Sequence, residues 1–197
     1  LRRIVKTMAQ AAEAAGVRVV TGDTKVVARG QGDGVYVNTT GVGEVPPGLT
    51  LSAGSLQPGD HILVSGPIGD HGVAVMSRRA GLSFEADLTS DSAPLAGLVA
   101  AMLETRKRIR VMRDPTRGGL GAVLNELSED SKVTIRVDEE SIPVRPVVRA
   151  ACETLGLDPF HVPCEGRLVA AVEPEGTEEL LEVMRQHPQG EESVKIG

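Results

Sequence analysis

The sequence predicts an α/β fold, with helices layered on a sheet, and three observations lead there. Apolar residues repeat every second position in some segments and at helical spacing in others, and the two kinds of segment alternate along the chain. Gly and Pro, 23 and 12 of the 197 residues, fall mostly between those segments. Hydrophobic residues make up 41%, yet there are only two Phe, one Tyr and no Trp, so the core must be built from Val, Leu, Ile and Ala. This length holds one large α/β domain, or a medium domain plus part of another.

The chain opens on a helical pattern. Leu1, Ile4, Val5, Met8, Ala11, Ala12 and Ala15 share one face, which predicts a buried stripe, and Gly16 ends the helix. Residues 17–20 and 34–41 read as strands. Residues 45–58, rich in Pro, Gly and Ser, read as an interdomain connection. Then follow a strand at 61–65, a Gly-rich turn, a helix at 72–79, a helix at 93–106 and a strand at 109–113. The last third gives a helix at 119–128, a strand at 134–137 and a helix at 146–155. A strand at 167–172, a helix at 177–187 and the start of a strand at 193–196 complete it. The uncapped start and the strand cut short at the end lead us to expect a piece of a longer protein.

Charge and composition exclude several functions. The net charge is −6 and no basic stripe is present. The densest cationic cluster, Arg106-Lys107-Arg108 with Arg110, sits where a helix ends and suits the helix dipole. With so few rings there is no base-stacking platform, and nucleic-acid binding is not expected. Cys152 and Cys164 form no CxxC and have no His at ligand spacing. A disulfide framework or structural zinc is therefore not expected, and a reducing cytoplasm fits. No apolar run reaches the roughly 20 residues of a membrane span, and no signal peptide is visible.

Four constellations could carry chemistry. Thr21-Gly22-Asp23-Thr24-Lys25 follows a predicted strand and puts a carboxylate, a hydroxyl and an ammonium at one edge. The carboxylate can hold Mg²⁺ and the Lys can meet a phosphate or move a proton, although a β-turn would use Asp23 as well. Ser65-Gly66-Pro67-Ile68-Gly69-Asp70-His71-Gly72 joins strand to helix, where bare amides and a helix N-terminus favour anions. Asp70 could equally cap the helix and His71 pack. Asp114-Pro115-Thr116-Arg117-Gly118-Gly119-Leu120 is a second strand-to-helix turn, and a merely structural turn gives no reason for Arg117. Pro163-Cys164-Glu165-Gly166-Arg167 precedes a strand. Glu165 sits where the chain enters that strand, flanked by Gly166, a place more commonly held by a surface turn carboxylate, and Cys164 is a small buried filler. His61, His161 and His187 have no partner visible in the sequence.

In this order, the four segments resemble the PurM-like superfamily, and within it the HypE family of hydrogenase maturation factors. Val20-Thr21-Gly22-Asp23-Thr24-Lys25-Val26-Val27 is similar to that family's signature. So are Asp33-Gly34 through Thr39-Thr40-Gly41, Gly69-Asp70-His71-Gly72, Arg113-Asp114-Pro115-Thr116-Arg117-Gly118-Gly119-Leu120 and Glu165-Gly166-Arg167-Leu168. The Gly-Asp-Thr-Lys wording sets the chain apart from purine-synthesis and selenophosphate enzymes of the same fold. The resemblance implies an α+β mixed sheet in a PurM-like C-terminal domain (48–197), preceded by the end (1–47) of an N-terminal ATP-binding and dimerisation domain. It also implies a chain that stops before a reactive C-terminal tail, so these residues alone are expected to be inactive.

By the same resemblance, the full-length parent takes a carbamoyl group from a HypF-type carbamoyltransferase onto a C-terminal Cys. It then dehydrates that thiocarboxamide to a thiocyanate with ATP and Mg²⁺. Cyanide passes to the iron of [NiFe] hydrogenase on a HypC–HypD complex, and the parent is a homodimer. Lys25 and Glu165 are the implied catalytic pair. Asp23 is the implied metal ligand, and Thr24, Asp70, His71, Arg117, Gly118 and Gly119 line the nucleotide or tail channel. One departure is Cys164, where the family usually has Asn. The alternatives are another ATP-dependent enzyme of this superfamily or a docking module without catalysis.

Overall fold

The computed structural model describes residues 1–81, 88–105 and 109–197. They form two compact units, Leu1–Thr50 and Leu51–Gly197. The triplet Arg106-Lys107-Arg108 and the last residue of the predicted helix 93–106 lie outside the described residues.

In the first unit, helix α1 spans Arg2–Ala14. It closes with the amides of Gly16 and Val17 donating to the carbonyls of Glu13 and Ala12, the paired bonds of a Schellman ending. The expected burial of its apolar stripe is not found: α1 has no buried residue within this chain. Neither 17–20 nor 34–41 is a strand. The alternating pattern is present, but a strand exists only where a neighbouring backbone supplies the ladder, and no segment of this unit does so. Val19, Val20, Val35, Tyr36 and Val37 are accordingly exposed.

The second unit carries the core. Strands β1 (His61–Val64), β2 (Ile109–Arg113), β3 (Val169–Val172) and β4 (Val194–Lys195) form one sheet in the order β2-β3-β1-β4. All its pairings are antiparallel, with Leu63 opposite Ala170 and Met112 opposite Ala170 on the other side. Alternation along the strands divides the core in two. Ile62, Val64, Val111, Val169 and Ala171 face helix α4 (Gly119–Ser131) through its Leu120, Val123, Leu124 and Leu127. Leu63, Ile109, Ala170 and Val172 face α3 (Ala96–Glu104) and α6 (Thr177–Arg185) through Leu98, Met102, Leu180, Leu181 and Met184. A smaller cluster joins α2 (Asp70–Ala80) to α5 (Pro146–Leu155) around Val73, Val148, Ala151 and Val162.

The predicted strand at 134–137 is a second correction. Val133, Ile135 and Val137 do pack on the core, which is why the pattern alternates. The amide of Asp138, just beyond this segment, donates to the carbonyl of Ile196, just past β4, and among the described residues no ladder forms. His61 also has a partner after all: its Nδ1 lies 2.9 Å from Thr177 Oγ1, across 116 residues of sequence.

A bulge in β2 sets an internal ion cluster. Ile109 pairs with Val172 and Val111 with Ala171, leaving Arg110 as the extra residue. Its buried guanidinium bonds Asp60 (Nε to Oδ2, 3.1 Å), Glu173 (Nη2 to Oε1, 2.8 Å) and Gln57. Removing the cation strands buried carboxylate, so Arg110→Ala is expected to lower stability by about 3–5 kcal/mol in urea unfolding. A loss below about 1 kcal/mol would place the pair in the class of weak surface bridges.

Candidate active site

The loop from Ser65 to Asp70 is buried throughout, so its backbone needs internal partners. The Ser65 amide donates to Leu168, Ile68 to Pro143 and Gly72 to Pro163, while Gly69 N–H meets the Cys164 thiol at 3.3 Å. Ser65 Oγ accepts from Leu168 N–H at 3.0 Å. Gly69 has φ +87°, a conformation a side chain would strain, and there the loop turns into α2. Asp70 thus becomes the first residue of the helix, as a buried carboxylate.

Segment 163–167 lies against this loop. Cys164 N–H donates to Pro115, and Thr116 Oγ donates to the Cys164 carbonyl at 3.1 Å. Glu165 N–H donates to Asp91 Oδ1 at 2.8 Å, and Arg167 Nε donates to the Pro67 carbonyl at 2.9 Å. A Cβ on Gly166 would collide with the Asp91 carbonyl, so nothing larger than Gly allows this approach.

Three residues expected from the sequence meet here. His71 Nε2 is 4.0 Å from Glu165 Oε1, with both side chains partly exposed. Asp70 lies alongside, its Oδ2 accepting from Arg145 Nε at 3.0 Å and 3.9 Å from Arg167 Nη2. Burial pushes the Asp70 carboxyl above its ordinary value of 3.8, against the pull of Arg145 and Arg167, and the nearby Asp91 adds to the rise. Cys164 is fully buried and burial pushes its thiol up to about 12, so it is a packing group and not a nucleophile. Gly118 and Gly119 open α4 at the end of the turn that Thr116 ties to Cys164. Arg117 is exposed and has no ion-pair partner among the described residues. Asp23, Thr24 and Lys25 belong to the first unit and are exposed, with Asp23 Oδ1 accepting the Thr24 amide at 2.8 Å.

Sequence reasoning missed Ser90, Asp91 and Arg145. Ser90 Oγ is 2.8 Å from His71 Nδ1. Asp91 holds the Glu165 amide with a fully buried side chain. Arg145 bridges Asp70 and Glu192, the latter at 2.9 Å. All three act across large sequence separations, and no local pattern marks them. Among the described residues no cluster of three or more His, Cys, Asp or Glu could hold a metal ion by itself.

A sheet backed by helices on both faces, with glycine turns at the helix starts, defines the class as a layered α/β protein. Residues 57–197 match the C-terminal domain of AIR synthase related protein, and residues 1–45 match its N-terminal domain, so the chain belongs to the AIR synthase-related family. Within that family its likeness is to hydrogenase maturation proteins named HypE. It is 61% identical over 197 residues to carbamoyl dehydratase HypE of Azotobacter vinelandii, and 62% to the hydrogenase expression/formation protein HupE of Azotobacter chroococcum mcd 1. Each match takes in 100% of this chain and 58% of the relative, so the chain spans little more than half the length of those proteins.

Among solved structures, HypE in a HypE–HypF complex superposes with a TM-score of 0.90 at 42% identity, covering 100% of this chain and 64% of the other. HypE in complex with ATP gives 0.89 at 43% identity, covering 99% and 58%. A thiamine-monophosphate kinase from Stenotrophomonas maltophilia K279a, at 22% identity and a TM-score of 0.57 over 75% of this chain and 49% of that one, shares the fold alone.

Because the fold favours neutral Asp70, its contribution is present below the ordinary value and is lost as pH rises through the raised one. Asp70→Asn removes that titration. Urea unfolding from below pH 3.8 to neutrality should show the variant gaining on the wild type as pH rises, then levelling. A difference independent of pH would contradict the burial effect.

Proposed function

We propose that the chain forms part of a carbamoyl dehydratase, which uses ATP to convert a cysteine thiocarboxamide to a thiocyanate during [NiFe]-hydrogenase maturation. The likeness to HypE proteins along the whole chain carries this reading. The setting of Glu165 supports it. The carboxylate is partly open to solvent, its backbone is fixed by Asp91, and an imidazole faces it.

Dehydration removes two protons from the amide nitrogen and the oxygen as a leaving group. ATP, when bound, supplies the phosphoryl group that makes the oxygen leave. Glu165 takes a nitrogen proton, a role that needs an accessible, ionised carboxylate held in place. Lys25 stabilises the charge that develops on the reacting group, or relays a proton. Arg117, exposed and without an ion-pair partner among the described residues, and the first-turn amides after Gly118 and Gly119 suit phosphate oxygens. Asp23 keeps one carboxylate oxygen free of the bond to Thr24, which fits Mg²⁺. That ion is usually held by one or two carboxylates together with phosphate and water. Thr24 stands beside it, and Asp70 and His71 line the channel for nucleotide or tail.

The partners follow from the same reading. They are a HypF-type carbamoyltransferase as donor, a HypC–HypD complex as acceptor of cyanide and a second copy of the full-length protein. The compartment is the cytoplasm, where the two free thiols, Cys152 and Cys164, stay reduced. Residues 48–197 are assigned to the C-terminal domain and 1–47 to the end of the N-terminal one.

A chimera tests the proposal. Residues 1–197 replace the matching stretch of the Azotobacter vinelandii relative, and its carbamoylated tail is followed by mass spectrometry. Loss of one water with ATP is expected. Lys25→Ala and Glu165→Ala should each slow it by about 100-fold or more. Normal thiocyanate formation in both variants would sink these roles.

A further inference from the structure

Ser90 and the Nδ1 side of His71 hold an arrangement that the chemistry above does not use. Ser90 Oγ accepts the Ser92 amide at 3.1 Å and lies 2.8 Å from His71 Nδ1. A hydroxyl has one hydrogen, and the Ser92 amide, being a donor, cannot take it. His71 Nδ1 lies within reach of that hydrogen, and the direction of this exposed contact depends on the ring's tautomer. If the hydroxyl donates to Nδ1, the neutral ring carries its proton on Nε2, since the hydrogen bond at one nitrogen fixes the state of the other. Nε2 is the nitrogen that faces Glu165 Oε1 at 4.0 Å, and the carboxylate independently favours a proton on that side. A side-chain rotation of about 1 Å would bring the pair to hydrogen-bond distance.

We propose that Ser90, His71 and Glu165 form a hydroxyl–imidazole–carboxylate relay, in which Ser90 sets the His71 tautomer so that Nε2–H orients the Glu165 carboxylate. Ser90 and His71 are positioning residues here, and their catalytic relevance rests on the reading of Glu165 as the base. Asp91 completes the arrangement. It neighbours Ser90 in sequence and accepts the Glu165 amide, so one short segment, 90–91, fixes both the ring and the backbone that carries the carboxylate. Arg167, 3.9 Å from Asp91 Oδ2, holds that carboxylate in charge balance.

The tautomer can be read without turnover. Nitrogen-15 NMR of the 197-residue chain, with the His71 signals assigned by their loss in His71→Gln, distinguishes the two neutral forms. The expected result is the Nε2–H form in the wild type, a shift towards Nδ1–H in Ser90→Ala, and recovery of Nε2–H in Ser90→Thr. An Nδ1–H ring in the wild type, or a Ser90→Ala ring unchanged from it, would overturn the relay. In the chimera, Ser90→Ala should slow thiocyanate formation by about tenfold and Ser90→Thr should restore it. If Glu165→Ala abolishes turnover while Ser90→Ala leaves it intact, the relay's part in positioning the base is overturned. If Glu165→Ala is itself active, the role given to Glu165 fails, while the NMR result still decides the tautomer.

Discussion

Segment 163–167 is gripped from several directions, and the arrangement around the site depends on that grip. Its backbone or side chains bond Pro115, Thr116, Gly69, Gly72, Asp91 and Pro67. These contacts bring together the turn before α4, the buried loop after β1 and the segment around Asp91. Gly166 is the narrowest point, because only the absence of a Cβ lets the Asp91 carbonyl come so near. With that approach closed, Glu165 would lose the acceptor of its amide and its place opposite His71.

The grip carries an electrostatic cost. Asp70 Oδ1 and Asp91 Oδ2 are buried without a hydrogen-bond partner among the described residues. Each such atom costs about 1–3 kcal/mol of lost hydration. Arg167, 3.9 Å from a carboxylate oxygen of each, offsets part of it through charge. Arg145 does the same for Asp70 from a half-exposed position. A strand-to-helix loop with a buried ionisable group at its tip is a poor choice for stability alone. Such sites are more readily understood as functional.

Much of the second unit was legible in the sequence because its elements answer to local rules. Strand β2 and helix α5 fall at their expected bounds, and Pro146 as the first residue of α5 and Gly156 just after it are the usual start and stop. Residues 134–137, 17–20 and 34–41 carry strand-like apolar patterns without being strands, because a side-chain pattern records which way side chains face, whereas a strand also needs a neighbour's backbone. The site was legible in part. Asp70, His71 and Glu165 stand in glycine-rich turns that bracket a strand or helix, which is a local signal. Ser90, Asp91 and Arg145 are joined to them across 19, 74 and 75 positions, and nothing in their own neighbourhoods announces it.

The central claim is that segment 163–167 and the loop after β1 act as one unit. Native-state hydrogen exchange of the amides of Gly69, Gly72, Cys164 and Glu165, in the wild-type chain and in Gly166→Ala, tests it most directly. The account predicts that all four are protected in the wild type and lose protection together in the variant, while Ile62 and Ala171 in the sheet keep theirs. Four amides that exchange independently, or a Gly166→Ala chain with unchanged protection, would contradict it.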